Sequence, residues 1–264
     1  MKNAIRIFIR YISTSLLITL VLLTVIRFEL LSKPFVFEAL EKHNVYEQLP
    51  SLLAESLPNN LSLSEKEKII YTEFIGNISP QIIKPLIVDN LTQILDFLNG
   101  ESKDIVISFS LQGIGFENAS GIRWSIPQIP DKNLQEKIMA LNGIGNTLII
   151  AIPIVAGILI FLFFLYGRLT IPKQLLGGKE ILLSSGIYIT AISLISKYSL
   201  TMAGKELLAG QEPSQKLLGL LFASLFSDIA TTLLTMGLVL ILLWLTLFIG
   251  IKVTKKQNEI QKTI

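Results

Sequence analysis

The sequence predicts a mainly α-helical membrane protein with four transmembrane helices and a mostly helical extracytoplasmic domain that contains a minor β-hairpin. Composition is the first observation, because 51% of the 264 residues are hydrophobic and only 16% are charged. Such a balance is too apolar for an ordinary soluble domain. The apolar residues are also clustered in long stretches, and basic residues flank these stretches on one side.

Four stretches are long enough to cross a hydrocarbon layer of about 30 Å, which takes roughly 20 helical residues. The first has a basic start, like a secretory signal peptide, but no small-x-small cleavage pattern follows it in Arg27–Ser32. We therefore predict an uncleaved anchor in preference to a cleaved signal peptide. The predicted spans are Tyr11–Leu31, Thr147–Tyr166, Ile181–Leu200 and Ile229–Ile251.

Lysine and arginine beside the spans predict the orientation, because they are enriched in short cytoplasmic segments. The amino-terminal end, the segment between the second and third spans, and the tail are rich in basic residues. They contain only two acidic residues, Glu180 and Glu259. We place these segments, and both termini, in the cytoplasm of a multi-pass cell-membrane protein. The basic residues are Lys2, Arg6, Arg10, Arg168, Lys173, Lys179, Lys252, Lys255, Lys256 and Lys262.

The chain divides accordingly into four parts. The long segment between the first two spans is predominantly acidic and lies on the external side by span count, which agrees with the basic-residue distribution. The predicted parts are 1–31 for the amino-terminal tip and first helix, 32–146 for the extracytoplasmic domain, 147–251 for helices two to four with a cytoplasmic loop 167–180 and an outer loop 201–228, and 252–264 for the cytoplasmic tail.

Helix signals and one change of period predict the structure of the segment 32–146. Ser64 and Glu67 form a capping box that would open a helix through Ile75. Ser79-Pro80 predicts the start of the longest helix, with apolar residues at helical spacing until Gly100 ends it. The alternating pattern of Ile105–Leu111 and the run Ile122–Ile126 predict two strands that pair as a small hairpin. We further expect a helix over Lys132–Leu141, and a flexible joint at Gly143 and Gly145.

Polar residues in the third and fourth spans are the candidate site residues, because ionisable groups at membrane depth mark functional positions. Lys197 and Asp228 both lie at predicted outer ends, where an intramembrane ion pair is the less favoured of two interpretations. The alternative is that each side chain reaches the headgroups separately. Small and hydroxyl residues predict a helix-packing stripe on the same faces, formed by Gly186, Thr190 and Ser193 in the third span and by Thr231 and Thr235 in the fourth.

Between these spans, the apolar segment Ser214–Ser227 either extends the fourth helix or lies along the outer surface. Four Asn-x-Ser/Thr triplets begin at Asn60, Asn77, Asn90 and Asn118, but no glycosylation is inferred from them.

The sequence offers no catalytic, metal or nucleotide-binding pattern. Cysteine is absent, which excludes disulfides, thiolate metal sites and cysteine nucleophiles. The single histidine, His43, has no neighbours in the sequence that indicate a metal site or a triad, so we expect it on a solvated surface. Gly177-Gly178 lacks the spacing of a phosphate-binding loop. We predict no enzyme activity, no cofactor and no nucleic-acid partner.

Several short motifs carry a family resemblance over most of the chain. They are Val45-Tyr46-Glu47-Gln48-Leu49, the run Ile94–Glu101 before the strand Ile105–Leu111, and Leu175-Leu176-Gly177-Gly178. With them, the chain resembles a loosely defined group of uncharacterised bacterial integral membrane proteins. In that group a signal anchor precedes an external helical domain with a leucine-x-glycine-glutamate step, followed by three spans. The resemblance implies a bacterial envelope protein and no particular activity.

A second resemblance concerns topology alone. One large external insert between the first and second of four spans is similar to the permease subunits of mechanotransmitting ABC transporters, in which the following cytoplasmic loop couples to an ATPase. Gly167–Glu180 occupies the corresponding position here, but no coupling-helix motif matches it residue by residue. Such an analogy concerns fold and not function.

Two functional hypotheses follow from the sequence, and a third, an intramembrane enzyme, is disfavoured. The leading hypothesis is a non-enzymatic binding or scaffold protein of the cell envelope, whose extracytoplasmic domain binds a protein, lipid or wall component while the helices anchor it in the lipid bilayer. The alternative is a permease-like transport subunit that works with a cytoplasmic ATPase.

Overall fold

The protein is mainly α-helical in a computed structural model that describes residues 2–60, 79–109, 122–125, 132–169, 174–208 and 213–263. The helices of this part of the chain are α1 (Lys2–Val25), α2 (Lys33–Lys42), α3 (Val45–Asn60), α4 (Pro80–Asn99), α5 (Lys132–Met139), α6 (Ile144–Leu169), α7 (Gln174–Leu208) and α8 (Pro213–Thr263). A π-helical turn, Ile26–Leu30, follows α1. The strands are β1 (Val106–Phe109) and β2 (Ile122–Ser125).

The chain forms two compact units. The first unit comprises Met1–Ile26, Leu148–Tyr198 and Ile229–Ile264, and the second comprises Arg27–Thr147 and Ser199–Asp228. The segment 201–228, predicted as an outer loop, therefore belongs to the same unit as the predicted extracytoplasmic domain. This grouping adds a second stretch of chain to the domain boundaries expected from the sequence.

Four helices are long and apolar enough to cross a membrane. Most of their ends lie within several residues of the ends of the predicted spans. Their apolar stretches are Asn3–Leu30, Ile144–Tyr166, Gly178–Ser199 and Gly219–Val253. The fourth extends further towards its amino-terminal end than expected, because α8 is one continuous helix from Pro213. The segment 214–227 is thus part of the fourth helix and not a separate surface helix.

Two apolar clusters hold the helices of the first unit together. In one cluster Ile9 of α1 packs against Tyr166 of α6 and Ile181 of α7. In the other, Val25 of α1 packs against Ile189 of α7 and Leu233 of α8. Many other large apolar side chains of these helices are exposed, and they include Ile154, Ile160, Phe161, Phe164, Ile195, Leu238 and Leu242.

The second unit has an ordinary buried core built from α2, α3, α4 and the beginning of α8. Leu40 and Val45 are completely buried in it, together with Tyr46 and Ile83. Leu220 of α8 is a member of the same core, and Leu221 and Leu225 pack against it. A smaller cluster around Phe97 and Ile105 lies at the end of α4.

Helix α4 begins and ends where the sequence predicts. The Ser79 hydroxyl accepts a hydrogen bond from the backbone N–H of Gln81, and Pro80 occupies the first turn, where its missing N–H costs nothing. Gly100 ends the helix with φ of +76° and donates its backbone N–H to Phe97. This left-handed conformation favours glycine.

The remaining predicted elements have different outcomes. Strands β1 and β2 pair antiparallel, with Val106 opposite Ser125 and Phe109 opposite Ile122, and the chain that joins them lies outside the described residues. The helix predicted from Ser64 to Ile75 also lies outside them. Helix α5 ends at Met139, two residues before its predicted end.

Candidate functional site

Glu180 is the centre of a charged cluster in the first unit. Its carboxylate lies 3.7 Å from Nη2 of Arg6 and 3.5 Å from Nη1 of Arg10, which are one turn apart on α1. The Tyr166 hydroxyl donates to the carboxylate at 3.2 Å and accepts from Arg6 Nε at 3.3 Å. The cluster joins α1, α6 and α7 through polar side chains that the sequence separates widely.

Positive charge exceeds negative charge in this cluster, because two guanidinium groups share one carboxylate. The side chains of Arg6, Arg10 and Glu180 are each more than one third exposed, so each ion pair adds little to stability, about 0–1 kcal/mol. The Tyr166 ring is buried, and the Arg6 guanidinium lies 5.8 Å from its centroid. The cluster therefore connects the ends of three helices, contributes little to stability and leaves a net positive charge.

Sequence reasoning did not identify this cluster. Arg6 and Arg10 served only as markers of the cytoplasmic side, and Glu180 as an acidic exception among basic residues. The spacing of the two arginines, one helical turn apart, predicts that they share a face. No local pattern indicates which carboxylate meets that face.

Hydroxyl groups form further contacts between the helices of the first unit. Thr14 Oγ1 lies 3.0 Å from Ser184 Oγ, and Ser185 Oγ donates to the Thr14 carbonyl. Ser193 Oγ donates to the carbonyl of Ala230 on α8. These hydroxyl groups therefore link α7 to α1 on one side and to α8 on the other.

The packing stripe predicted on the third span lies against α8. A Cβ atom added to Gly186 would stand 3.0 Å from the Gly237 carbonyl oxygen, and one added to Gly237 would stand 2.9 Å from the Thr190 backbone nitrogen. The two backbones touch here because both positions are glycine. Gly186, Thr190 and Ser193 thus share the face that meets α8.

The half of the stripe predicted on the fourth span differs from the structure. The side chains of Thr231 and Thr235 are exposed, and the contacts to α7 come from Ala230, Leu233 and Gly237. Thr235 donates its hydroxyl to the Thr231 carbonyl in the preceding turn. A helical threonine that is satisfied by its own backbone does not need a neighbouring helix, and glycine allows the closer approach.

Asp228 has two partners that the sequence did not indicate. Its Oδ1 accepts from Lys42 Nζ at 2.8 Å and lies 3.3 Å from His43 Nε2. All three residues belong to the second unit, where they tie the end of α2 to α8. His43 is partly buried and not a fully solvated surface residue. The predicted pair of Asp228 with Lys197, an exposed residue of the first unit, stays a prediction.

A second ionic group of this unit surrounds Lys33. Its ammonium forms an ion pair with Asp96 of α4 and lies 3.5 Å from Oε2 of Glu101. Hydrogen bonding to Asp96 raises the pKa of Lys33, and the charges of both carboxylates act in the same direction. The start of α2 is therefore held against the end of α4.

Tyr46 combines a buried phenol with charged neighbours in the second unit. Burial raises the pKa of Tyr46, and the negative charge of Glu41 raises it further. Lys84 forms a 2.8 Å ion pair with Glu41 and lies 5.6 Å from the Tyr46 ring centroid. The hydroxyl has no hydrogen-bond partner in the part of the chain that the structure describes.

The turn before α6 is a tight backbone junction and not the flexible joint that Gly143 and Gly145 suggested. Asn142 Nδ2 donates to the carbonyls of Phe97 and Ser102 at 3.1 and 2.7 Å. Gly143 has φ of +70°, and a Cβ atom on Gly145 would stand 3.1 Å from the Asn99 Cα. Positive φ favours glycine at position 143, and the close approach of Asn99 requires glycine at position 145.

A metal centre is not visible, since no group of three or more potential ligands occurs among the described residues. The candidate site residues in the described part of the chain are the charged and hydroxyl side chains that join helices, with the cluster around Glu180 as the main group. No protein-family model matches the chain, and neither the curated proteins nor the solved structures contain a match.

Proposed function

We propose that the chain is a multi-pass integral membrane protein of the bacterial cell envelope, with four spans and both termini in the cytoplasm. Four apolar helices with outward-facing isoleucine, leucine and phenylalanine side chains support the placement in a bilayer. The uneven distribution of lysine and arginine supports the orientation. The second unit, with β1 and β2 joined as a hairpin, then lies outside the cytoplasm.

In this proposal the protein is a non-enzymatic binding or scaffold protein whose extracytoplasmic unit recognises a protein, lipid or wall component. The observation that carries it is the shared core of the second unit. Leu220 of α8 packs with Leu40 and Tyr46, and Asp228 binds Lys42 and His43. Two separate segments thus build one folded module in addition to the anchoring helices, which an anchor alone would not need.

Topology is tested first, and the lack of native cysteine makes the test direct. Single-cysteine variants Glu101→Cys and Lys252→Cys, both at exposed positions, are treated in intact cells with a membrane-impermeant maleimide. We expect labelling at 101 and none at 252 until the cells are opened. Labelling at 252 in intact cells would overturn the orientation.

Binding is tested in the full-length protein within its own membrane. A photo-crosslinking amino acid replaces Ile82, an exposed residue of α4, and in a matched control it replaces Ile195, an exposed residue of α7. We expect a discrete adduct with one envelope component from position 82 and lipid adducts alone from position 195. The same outcome at both positions would contradict a binding module.

The permease-like alternative has its own outcome in these experiments. It requires an ATPase that co-purifies with the full-length protein and is lost when residues 168–179 are replaced by a neutral linker. An ATPase that co-purifies in this way would replace the binding proposal.

A further inference from the structure

Two lysines lie near one aromatic ring, at the start of the apolar stretch of α7 and the end of the apolar stretch of α8. Lys179 Nζ lies 5.2 Å, and Lys252 Nζ 4.9 Å, from the centroid of the Phe248 ring. Trp244, one turn before Phe248, stacks on the same ring with centroids 5.5 Å apart. Both ammonium groups therefore lie within cation–π distance of one aromatic ring.

Among the side chains that the structure describes, no carboxylate pairs with either ammonium. Glu180 is the neighbour of Lys179 in sequence, but its carboxylate is bound by Arg6, Arg10 and Tyr166. Two like charges repel each other, and the ring attracts each of them only weakly. An anion that binds both ammonium groups would offset this repulsion.

The position of the two lysines along the helices indicates which anion is suitable. Lys179 is the second residue of the apolar stretch Gly178–Ser199, and Lys252 is the last but one of Gly219–Val253. The contacts of Gly186 with Gly237 and of Ser193 with Ala230 show that α7 and α8 run antiparallel here. Both ammonium groups therefore lie at one edge of the apolar region, where a bilayer presents its phosphates.

We propose that Lys179, Lys252 and the Phe248 ring form a binding site for the phosphate of an anionic phospholipid in the cytoplasmic leaflet. The site rests on the membrane placement argued under the proposed function. The phosphate pairs with the two ammonium groups, and the acyl chains of the lipid lie along Trp244 and the outward face of α8. Arg6 and Arg10, which exceed the charge of Glu180, add to the positive potential at the same end.

The test uses Trp244 as the reporter. The variant Trp124→Phe leaves Trp244 as the single tryptophan of the full-length chain. It is reconstituted into phosphatidylcholine vesicles that contain a minor fraction of either brominated phosphatidylglycerol or brominated phosphatidylcholine. We expect stronger quenching of Trp244 by the brominated phosphatidylglycerol at equal mole fraction.

Removal of the lysine charges should abolish this preference. Each lysine near an anionic surface contributes about a fivefold change in association, so Lys252→Gln should lower the preference about fivefold and the double variant with Lys179→Gln should bring it close to one. Lys252→Arg should keep it. The matched control Lys197→Gln, an exposed lysine at the other end of the α7 apolar stretch, should leave it unchanged.

The outcomes separate the lipid site from the membrane placement. Equal quenching by both brominated lipids in the parent overturns the lipid site and keeps the placement. Absence of quenching by either lipid contradicts the placement itself. If the double variant loses its helical circular dichroism signal, the single variant Lys252→Gln decides the test, because Lys252 is exposed. An unchanged preference for the anionic lipid in that variant also overturns the site.

Discussion

Large apolar side chains occupy opposite positions in the two units. In the first unit Ile160 is 69% exposed and Phe161 63% exposed, whereas Leu40 and Phe97 of the second unit are completely buried. Where the second unit buries leucine and phenylalanine, the first brings helices together through Gly186, Gly237 and hydroxyl groups. The difference shows that apolar burial builds the core of the second unit, whereas in the first unit close backbone contact at these two glycines adds to the apolar cluster of Ile189 and Leu233 between α7 and α8.

The largest effect is expected in the second unit for Leu40→Ala. Loss of a fully buried leucine should lower the free energy of unfolding by about 2–5 kcal/mol, and denaturant unfolding in detergent micelles measures it. Leu220→Ala, on the other segment, should act on the same transition. The control Ile82→Ala removes a partly exposed side chain and should change little. If Leu220→Ala leaves the free energy of unfolding unchanged, the two segments of this unit do not unfold together.

A smaller effect is expected in the first unit for Gly237→Ala. The added methyl group would meet the Thr190 backbone, so the helices must separate, at a cost of about 1–3 kcal/mol. Gly250→Ala is the matched control, because no atom lies within 4 Å of its added Cβ. Helix–helix separation can be followed by disulfide cross-linking of engineered cysteine pairs. Equal losses in both variants would disprove the close contact.

The ion pair of Asp228 should contribute less. A double-mutant cycle with Lys42→Met and Asp228→Asn should give a coupling free energy of about 0.2–1 kcal/mol, as expected for an exposed lysine. The same cycle with Lys197→Met tests the pair that the sequence suggested. Coupling to Lys197 that exceeds coupling to Lys42 would contradict the contacts of Asp228. Thermal unfolding of the single and double variants supplies the four values.

The smallest effect concerns Tyr46 and appears only at alkaline pH. Folding raises the pKa of Tyr46, so the stability that the neutral phenol contributes is complete below pH about 10 and is lost as the pH rises through the pKa of the folded state. Tyr46→Phe should flatten the fall in stability above pH 10. The measurement is the free energy of unfolding across this pH range. An equal slope against pH in the parent and in Tyr46→Phe would rule out the effect.

Local signals in the sequence predicted elements well, but they did not predict partners. Ser79, Pro80 and Gly100 determine the ends of α4 because caps act within one turn. The partners of Asp228 lie 185 and 186 residues away in the chain, and no local pattern indicates them. The same holds for Glu180, whose partners Arg6 and Arg10 come from the first helix.

Side-chain type alone also misled at two places. Thr231 and Thr235 have the composition of a packing stripe, yet both side chains are exposed, the Thr235 hydroxyl bonds to its own helix, and Ala230 and Gly237 contact α7 instead. Gly143 and Gly145 suggested flexibility, yet one adopts positive φ and the other admits the Asn99 backbone. The physical need for a glycine, conformation or space, is visible only in three dimensions.

The place of Leu220 in the core around Leu40 has a consequence for how the protein is made. A ribosome delivers Leu40 long before Leu220, and domains usually begin to fold as the chain emerges. The early segment must therefore wait, with its apolar surface incompletely covered, until the last helix arrives. Truncated products that end before α8 should be recognised by quality-control proteases, whereas completed chains escape them.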